Sequence, residues 1–197
     1  VRVAVYCPPS LKRLFAIVPG VSDAVSHPDP VPACDYSCPL MSLPRLLRHT
    51  YRGILAEVPY LRPDGAALEH FRHRMREHET FLKVGLVWAS HSAKPSLARL
   101  KSFSLEALAP LASVPGVTFF SLQTGQSAGE ARQAPPGMAL VDLRPELGDF
   151  LDTAAAIANL DLVITVDTAV AHLAGAMAAP LVAGWFPRAA PLGAALA

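Results

Sequence analysis

One junction constrains the fold of this chain more than any other feature. Residues 162–166, Leu-Val-Ile-Thr-Val, form a short apolar run typical of strands that are buried on both faces. The run stops at Asp167-Thr168. Small and apolar residues then recur at helical spacing, at Val170, Leu173, Ala174 and Met177. The pattern predicts a strand that passes directly into a helix, the repeating unit of an α/β fold with a parallel sheet.

The same junction carries chemistry suited to an anion. Asp167 or Thr168 is a natural N-cap, and free backbone N–H groups and the positive end of the helix dipole gather at such a position. His172 follows Thr168 by four residues and shares its helix face. In open α/β sheets, phosphates bind where a strand's carboxyl end meets a helix N-terminus. We therefore expect a phosphate or nucleotide site here, although many such junctions carry Asp or Thr only as caps.

Composition and charge exclude several classes of protein. Apolar residues make up 52% of the 197 residues and charged residues 17%, which is ample for a core. The net charge of +1 gives no basic surface for nucleic acid or an anionic membrane. No apolar run is long enough to span a membrane, and Val1–Tyr6 reads as a strand and not as a signal peptide. We expect a soluble, cytoplasmic protein whose sequence starts inside a longer one.

The three cysteines do not suggest a metal centre. Cys34 and Cys38 lack a nearby Cys/His pair with zinc-ligand spacing, so no metal site is predicted. All three thiols, Cys7 included, are interpreted as small apolar packing residues.

Strands and helices alternate along the chain, which predicts βαβ units. Strands are expected at 1–6, 23–26, 82–89, 117–122, 138–143, 162–166 and 181–185. Helices are expected at 10–17, 44–49, 64–79, 104–113, 149–160 and from 168 onwards, and residues 35–43 are expected to be extended. The organisation predicted is a partial N-terminal α/β half (1–62), a linker helix (63–81) and a Rossmann-like C-terminal half (82–197).

Polar and charged residues follow two of the other predicted strands. Lys94, Arg99 and Lys101 lie after the strand that ends near Trp88, and this segment should open onto the same crevice as Thr168. Such cations stabilise charge on a departing diphosphate, although a solvated surface loop is the alternative. Gln123 ends the next strand, where it either approaches a ligand or serves the turn. Glu130 follows it, and either binds ribose hydroxyls or faces solvent.

Two familiar nucleotide motifs are absent. Neither G-x-G-x-x-G nor G-x-x-x-x-G-K-[ST] occurs in the sequence, so a dehydrogenase is a poor interpretation. No nucleophile elbow is predicted, although residues 125–129, Gly-Gln-Ser-Ala-Gly, match the spacing G-x-S-x-G.

Several segments together carry a family resemblance. They are Val84-Gly-Leu-Val-Trp-Ala89, Ser104–Leu111, Val114–Val117 with Phe120-Ser-Leu-Gln123, Asp149-Phe-Leu-Asp-Thr153 and Leu160–Gly175, with looser likeness at Pro19–Val21, Cys38–Pro44 and Val58–Leu61. They resemble the glycosyltransferase domain that follows the repeats of bacterial tetratricopeptide-repeat proteins. That domain is similar to the ADP-heptose:lipopolysaccharide heptosyltransferases of glycosyltransferase family 9.

The resemblance implies a GT-B fold, in which two Rossmann-like halves face each other across a cleft and the C-terminal half holds a nucleotide-sugar donor. It places Asp167, Thr168, Ala169 and His172 at the donor diphosphate, with Lys94, Arg99 and Lys101 near the phosphates. Asp152 and Thr153 would lie near the nucleotide. No metal and no cofactor other than the donor substrate is implied, because a helix dipole and cations neutralise the leaving diphosphate.

Three departures from the family pattern qualify this expectation. The Gly-rich, Asp-containing loop that carries the candidate base is absent, Thr124 stands at a commonly cationic position, and the final helices are missing. We therefore expect a GT-B-like chain truncated at both ends, acting as a metal-independent glycosyltransferase module. The alternatives are an inactive fragment that at most binds nucleotide, or an interaction domain of a tetratricopeptide-repeat protein.

Overall fold

The computed structural model describes residues 1–49, 57–63, 65–91 and 95–184. A small parallel sheet comes first: β1 (Ala4–Tyr6) pairs with β2 (Asp23–Val25), and α1 (Pro9–Ala16) connects them. The short helix α2 (Leu43–Leu46) and the helix α3 (Gly65–Arg74) follow. The unit β1-α1-β2 matches the predicted alternation of strands and helices, because two parallel strands need a crossover connection between them.

The larger sheet has five parallel strands. They are β3 (Leu82–Val87), β4 (Val117–Ser121), β5 (Leu140–Asp142), β6 (Leu162–Val166) and β7 (Leu181–Gly184), in the spatial order β5-β4-β3-β6-β7. The helices α4 (Pro95–Leu100), α5 (Phe150–Ile157) and α6 (Ala169–Ala176) lie in the crossovers, together with 3-10 helices at Leu105–Ser113, Gln126–Gln133 and Arg144–Glu146. The chain moves outward from β3 to β5 and then returns to β6. The strand order therefore reverses between β3 and β6, which is where such sheets form a crevice.

Each face of this sheet has its own apolar core. On β4, Phe119 belongs to one cluster with Trp88, and Phe120 belongs to the other with Ile157. Successive side chains of a strand point to opposite faces, so a strand covered on both sides reads as a continuous apolar run. The prediction of an α/β fold with a parallel sheet is confirmed.

The N-terminal segment contacts the layer of helices on the larger sheet. Leu14 of α1 is buried in the cluster that contains Ile157, and the amides of Tyr60 and Leu61 donate to the carbonyl of Ala176 at 3.0 and 3.2 Å. The division into halves at residues 62 and 81 stays a prediction.

Three local predictions were wrong. The predicted extended segment 35–43 contains a 3-10 turn, Leu40–Ser42, that leads into α2, since Pro44 lies in the first turn, where its missing N–H is not needed. The basic segment after β3, expected as a loop, contains α4. Cys34 and Cys38 are exposed, so only Cys7 fits the packing interpretation.

None of the helices in the described part of the chain combines the length and apolar character needed to cross a membrane.

Candidate functional site

A cleft of about 410 Å³ lies at the carboxyl ends of β3, β4 and β6, where the strand order reverses. The loops after β3 and β4 form one side, and the first turns of α5 and α6, together with α1, form the other. Its lining comprises Ser10, Val87, Ala89, Ser90, His91, Leu122, Gln123, Thr124, Leu147, Gly148, Asp149, Phe150, Thr153, Thr168, Ala169 and Val170. This is the position at which open α/β sheets bind ligands.

The start of α6 opens onto this cleft. Thr168 occupies the N-cap position with extended backbone angles, but its side chain makes no capping hydrogen bond. Its hydroxyl lies instead 3.2 Å from the Thr165 hydroxyl, which donates to the carbonyl of Val166 at 2.8 Å. The first amides of a helix have no partner within it. Because the Thr168 hydroxyl does not cap the helix, the amides of Ala169 and Val170 are available to an anion in the cleft, whereas the amide of Ala171 donates to the Thr168 carbonyl.

Charged side chains meet beside this helix start. The ammonium of Lys101 donates to Asp167 Oδ2 at 2.5 Å, and His172 Nε2 lies 3.9 Å from Asp167 Oδ1. The hydrogen bond from Lys101 holds the pKa of the Asp167 carboxyl below its ordinary value of 3.8, so Asp167 is ionised at neutral pH. The imidazole of His172 is largely exposed. The pair joins the segment after α4 to the β6–α6 junction, so the structure brings Asp167, Thr168, His172 and Lys101 together.

Two side chains fix the loop that follows β3. Gln123 Oε1 accepts from the amides of Trp88 and Ala89 at 3.1 and 2.9 Å, and its Nε2 donates to the carbonyls of Ala89 and Thr124 at 3.0 Å each. Ser102 Oγ accepts from the amide of Ser90 at 2.8 Å. Gln123 borders the cleft, yet it is buried and its amide is fully hydrogen-bonded to backbone. It holds the loop in place and has no bond left for a ligand.

The first turn of α5 forms a different kind of wall. Asp149 and Asp152 form a capping box, in which the side chain of each aspartate accepts a hydrogen bond from the backbone amide of the other. The hydroxyl of Thr153 donates to the carbonyl of Asp149 at 3.0 Å. Asp149 and Thr153 line the cleft, whereas Asp152 does not.

Of the predicted residues that the structure describes, four line the cleft: Gln123, Thr153, Thr168 and Ala169. Six others do not: Lys101, Asp152, Asp167, His172, Arg99 and Glu130. Arg99 is exposed on α4, and Lys94 lies outside the described residues. Glu130 Oε2 accepts from the amide of Leu105 at 2.8 Å and so caps the 3-10 helix Leu105–Ser113. Ser104, at the N-cap position of this helix, makes no capping bond with its side chain.

Sequence reasoning assigned only part of the cleft lining, and Ser90, His91, Ser10 and Phe150 are among the residues that it missed. Ser90 and His91 directly follow β3, so their position after a strand was a usable signal. Ser10 and Phe150 reach the cleft only through the packing of α1 and the start of α5. Among the described residues, no group of three or more His, Cys, Asp or Glu side chains is placed to hold a metal ion.

The fold and the cleft define the class: an α/β protein that has an open crevice and an uncapped helix start at the switch point of a parallel sheet. More specifically, the chain belongs to glycosyltransferase family 9 (heptosyltransferase), whose profile matches residues 71–186, more than half of its length.

Two similar proteins place it further. The chain is 32% identical over 140 residues to Protein FlbA of Caulobacter vibrioides, an alignment that covers 68% of this chain and 23% of FlbA. Its fold is similar to that of the E. coli ADP-heptose lps heptosyltransferase II, with a TM-score of 0.53 at 15% identity, over 68% of this chain and 42% of the other. The structural likeness confirms the GT-B-like fold. The chain thus spans under a quarter of one relative and under half of the other.

Proposed function

We propose that this chain is a glycosyltransferase module that transfers a sugar from a nucleoside-diphosphate donor to an acceptor hydroxyl. The observation that carries the proposal is the uncapped start of α6, Thr168–Val170, open to a cleft at the switch point of the sheet. Backbone N–H groups and the helix dipole at this position suit a diphosphate. Membership of glycosyltransferase family 9 supports the same reaction.

The site would act by stabilising the leaving group. As the acceptor oxygen attacks the anomeric carbon, the bond from that carbon to the diphosphate breaks and the diphosphate leaves with the electron pair. The amides at the start of α6 bind the phosphate oxygens, His172 donates a hydrogen bond to them, and Lys101 neutralises the developing charge. We propose that Arg99, from outside the cleft lining, and Lys94, in the same segment of the sequence, assist Lys101. The acceptor proton goes to a base that we do not assign to a residue of this chain. We propose that the step needs no metal ion.

The remainder of the cleft would hold the nucleoside. Thr153 lies in the wall, and Asp152 anchors the turn behind it. Gln123 contributes by fixing the loop after β3. Glu130 is left out, because its carboxylate caps a helix elsewhere.

The relatives suggest which donor to test first. Since a protein of similar fold is an ADP-heptose heptosyltransferase, ADP is the first nucleotide to test, with UDP beside it. We also propose, from the sequence resemblance, that the module works in the cytoplasm within a tetratricopeptide-repeat protein.

Isothermal titration of the chain with ADP and UDP tests the binding site. We expect one of them to bind, and Lys101→Met and His172→Ala to weaken its Kd roughly tenfold each, since the ammonium of Lys101 and the ring N–H of His172 no longer donate to phosphate. Lys12→Met is the matched control, because Lys12 pairs with Asp29 at the other sheet. The proposal would be contradicted if neither ADP nor UDP bound, or if Lys12→Met weakened binding as much as Lys101→Met and His172→Ala.

A second measurement separates transfer from binding alone. The measurement is hydrolysis of the corresponding nucleotide sugar, detected as released nucleoside diphosphate. Release shows that the site stabilises the leaving group. Nucleotide binding without any release would favour the alternative of a binding fragment.

A further inference from the structure

One wall of the cleft carries a carboxylate where the proposed ligand is an anion. Asp149 lines the cleft, and its side chain is 12% exposed. Asp152, three residues further along, adds a second carboxylate in the same capping box. Two uncompensated negative charges beside a diphosphate would repel it, and the repulsion would be strong because these groups are largely shielded from solvent.

A single guanidinium compensates both carboxylates. Arg13 Nη1 lies 3.0 Å from Asp149 Oδ2 and 3.0 Å from Asp152 Oδ1. The hydrogen bond that Arg13 donates to the Asp152 carboxylate raises the pKa of Arg13 above its ordinary value. The other carboxylate oxygens accept hydrogen bonds from backbone amides. Asp149 Oδ1 accepts from the amides of Leu151 and Asp152. Asp152 Oδ2 accepts from the amides of Gly148 and Asp149. The cluster is therefore complete without a ligand.

Arg13 reaches this position from a distant part of the chain. It lies 136 residues before Asp149, on α1, which packs against α5. The next residue, Leu14, is buried in the core cluster shared with α5. Ser10, one turn earlier on α1, lines the same cleft. The helix that delivers the guanidinium thus also forms part of the cleft wall.

We propose that Arg13 is a positioning residue that makes the cleft accept a diphosphate by neutralising Asp149 and holding α1 against the start of α5. The inference rests on the proposed function, since it needs a nucleotide in the cleft. It predicts that loss of Arg13 lowers the affinity of the cleft for nucleoside diphosphates and leaves its affinity for uncharged nucleosides unchanged.

Isothermal titration, with competition titration for the weaker nucleoside, tests this on the whole chain. The probes are ADP or UDP, whichever binds the wild-type chain, and the corresponding nucleoside. We expect Arg13→Ala to weaken the diphosphate roughly tenfold and the nucleoside less than about twofold. Arg13→Lys, which keeps a cation, should stay within about threefold of wild type.

Two double variants locate the effect. Asn can replace Asp as an N-cap, so Asp149→Asn in the Arg13→Ala chain should restore most of the diphosphate affinity. Asp152→Asn in the same background is the matched comparison and should restore less, because Asp152 does not line the cleft. Arg2→Ala, which removes an Arg–Asp pair of the small sheet, should leave both affinities unchanged.

The outcomes are distinguishable. Lack of nucleotide binding by the wild-type chain would overturn the proposed function and this inference together. Wild-type binding would leave the function standing, and the inference would then fail in either of two cases. In the first case, Arg13→Ala loses as much affinity for the nucleoside as for the diphosphate. In the second case, adding Asp149→Asn to Arg13→Ala restores no diphosphate affinity, although the Tm of the double variant shows that it is folded.

Discussion

Gln123 makes four hydrogen bonds to backbone groups from a buried position at the end of β4. Its primary amide supplies two donors and an acceptor with two lone pairs, which the strand ends of β3 and β4 use completely. A residue of this kind shapes a site without touching the ligand. The sequence alone allowed either a ligand contact or turn chemistry for Gln123, and the hydrogen bonds decide for the second.

Replacement of this amide by an apolar group of similar size should be costly. We expect Gln123→Leu to lower the free energy of unfolding by about 3 kcal/mol, because the amides of Trp88 and Ala89 lose their acceptor in a buried place. Urea unfolding followed by circular dichroism measures the change. Gln133→Leu, at an exposed glutamine of the 3-10 helix Gln126–Gln133, should stay within about 0.5 kcal/mol of wild type. Similar losses in both variants would contradict the role given to Gln123.

The close packing of strand β3 depends on a residue without a side chain. A Cβ built on Gly85 would lie 2.6 Å from Leu160 Cδ1 and 3.0 Å from Leu122 Cδ1. Both leucines are buried in the cluster that covers this face of the sheet. The backbone of Gly85 has no positive φ, so the glycine is required by space alone. The glycine thus lets Leu160, which follows α5, and Leu122, which follows β4, pack directly on the backbone of β3.

A methyl group at this position should therefore overpack the core. We expect Gly85→Ala to destabilise the chain by about 1–2 kcal/mol, a moderate cost because the neighbouring atoms are ends of leucine side chains. Leu160→Val should cost less in the Gly85→Ala chain than in wild type, and a double-mutant cycle measures this coupling. Gly129→Ala is the control, since a Cβ there meets nothing within 4 Å. Equal costs of Leu160→Val in both backgrounds would show that the contact is not the cause.

For the molecule as a whole, the ligand proposed for the cleft should contribute to stability, since it binds only the folded chain. At a free concentration of about 100 times Kd, such a ligand stabilises by about 2.7 kcal/mol. For a chain of this length, we expect Tm to rise by roughly 5–10 °C with the nucleoside diphosphate. Differential scanning fluorimetry measures the rise.

The same experiment has a built-in comparison. At that ligand concentration, Lys101→Met should show a clearly smaller rise in Tm, because its Kd is weaker. A rise that is the same in both chains would show that the stabilising nucleotide does not use the cations beside α6. Tm that is unchanged at every nucleotide concentration would speak against a ligand site.

Local sequence patterns by themselves determined much of the fold of this protein. The apolar runs of β3, β4 and β6, the change from strand to helix after Val166 and the parallel arrangement all follow from patterns within a few residues of each other. The sequence also placed Thr168, Ala169 and Lys101 at the correct sheet edge, because the carboxyl ends of parallel strands share one edge.

Only the tertiary structure decided which side chains meet across long stretches of chain. Glu130 caps a helix 25 residues earlier, and Arg13 neutralises two carboxylates on α5. The 3-10 form of Leu105–Ser113 and the helix at Pro95–Leu100 also lay outside what spacing predicts. The physical reason is that periodicity and capping act within one or two turns. Pairing of buried polar groups depends on how separate elements pack, which no local pattern records.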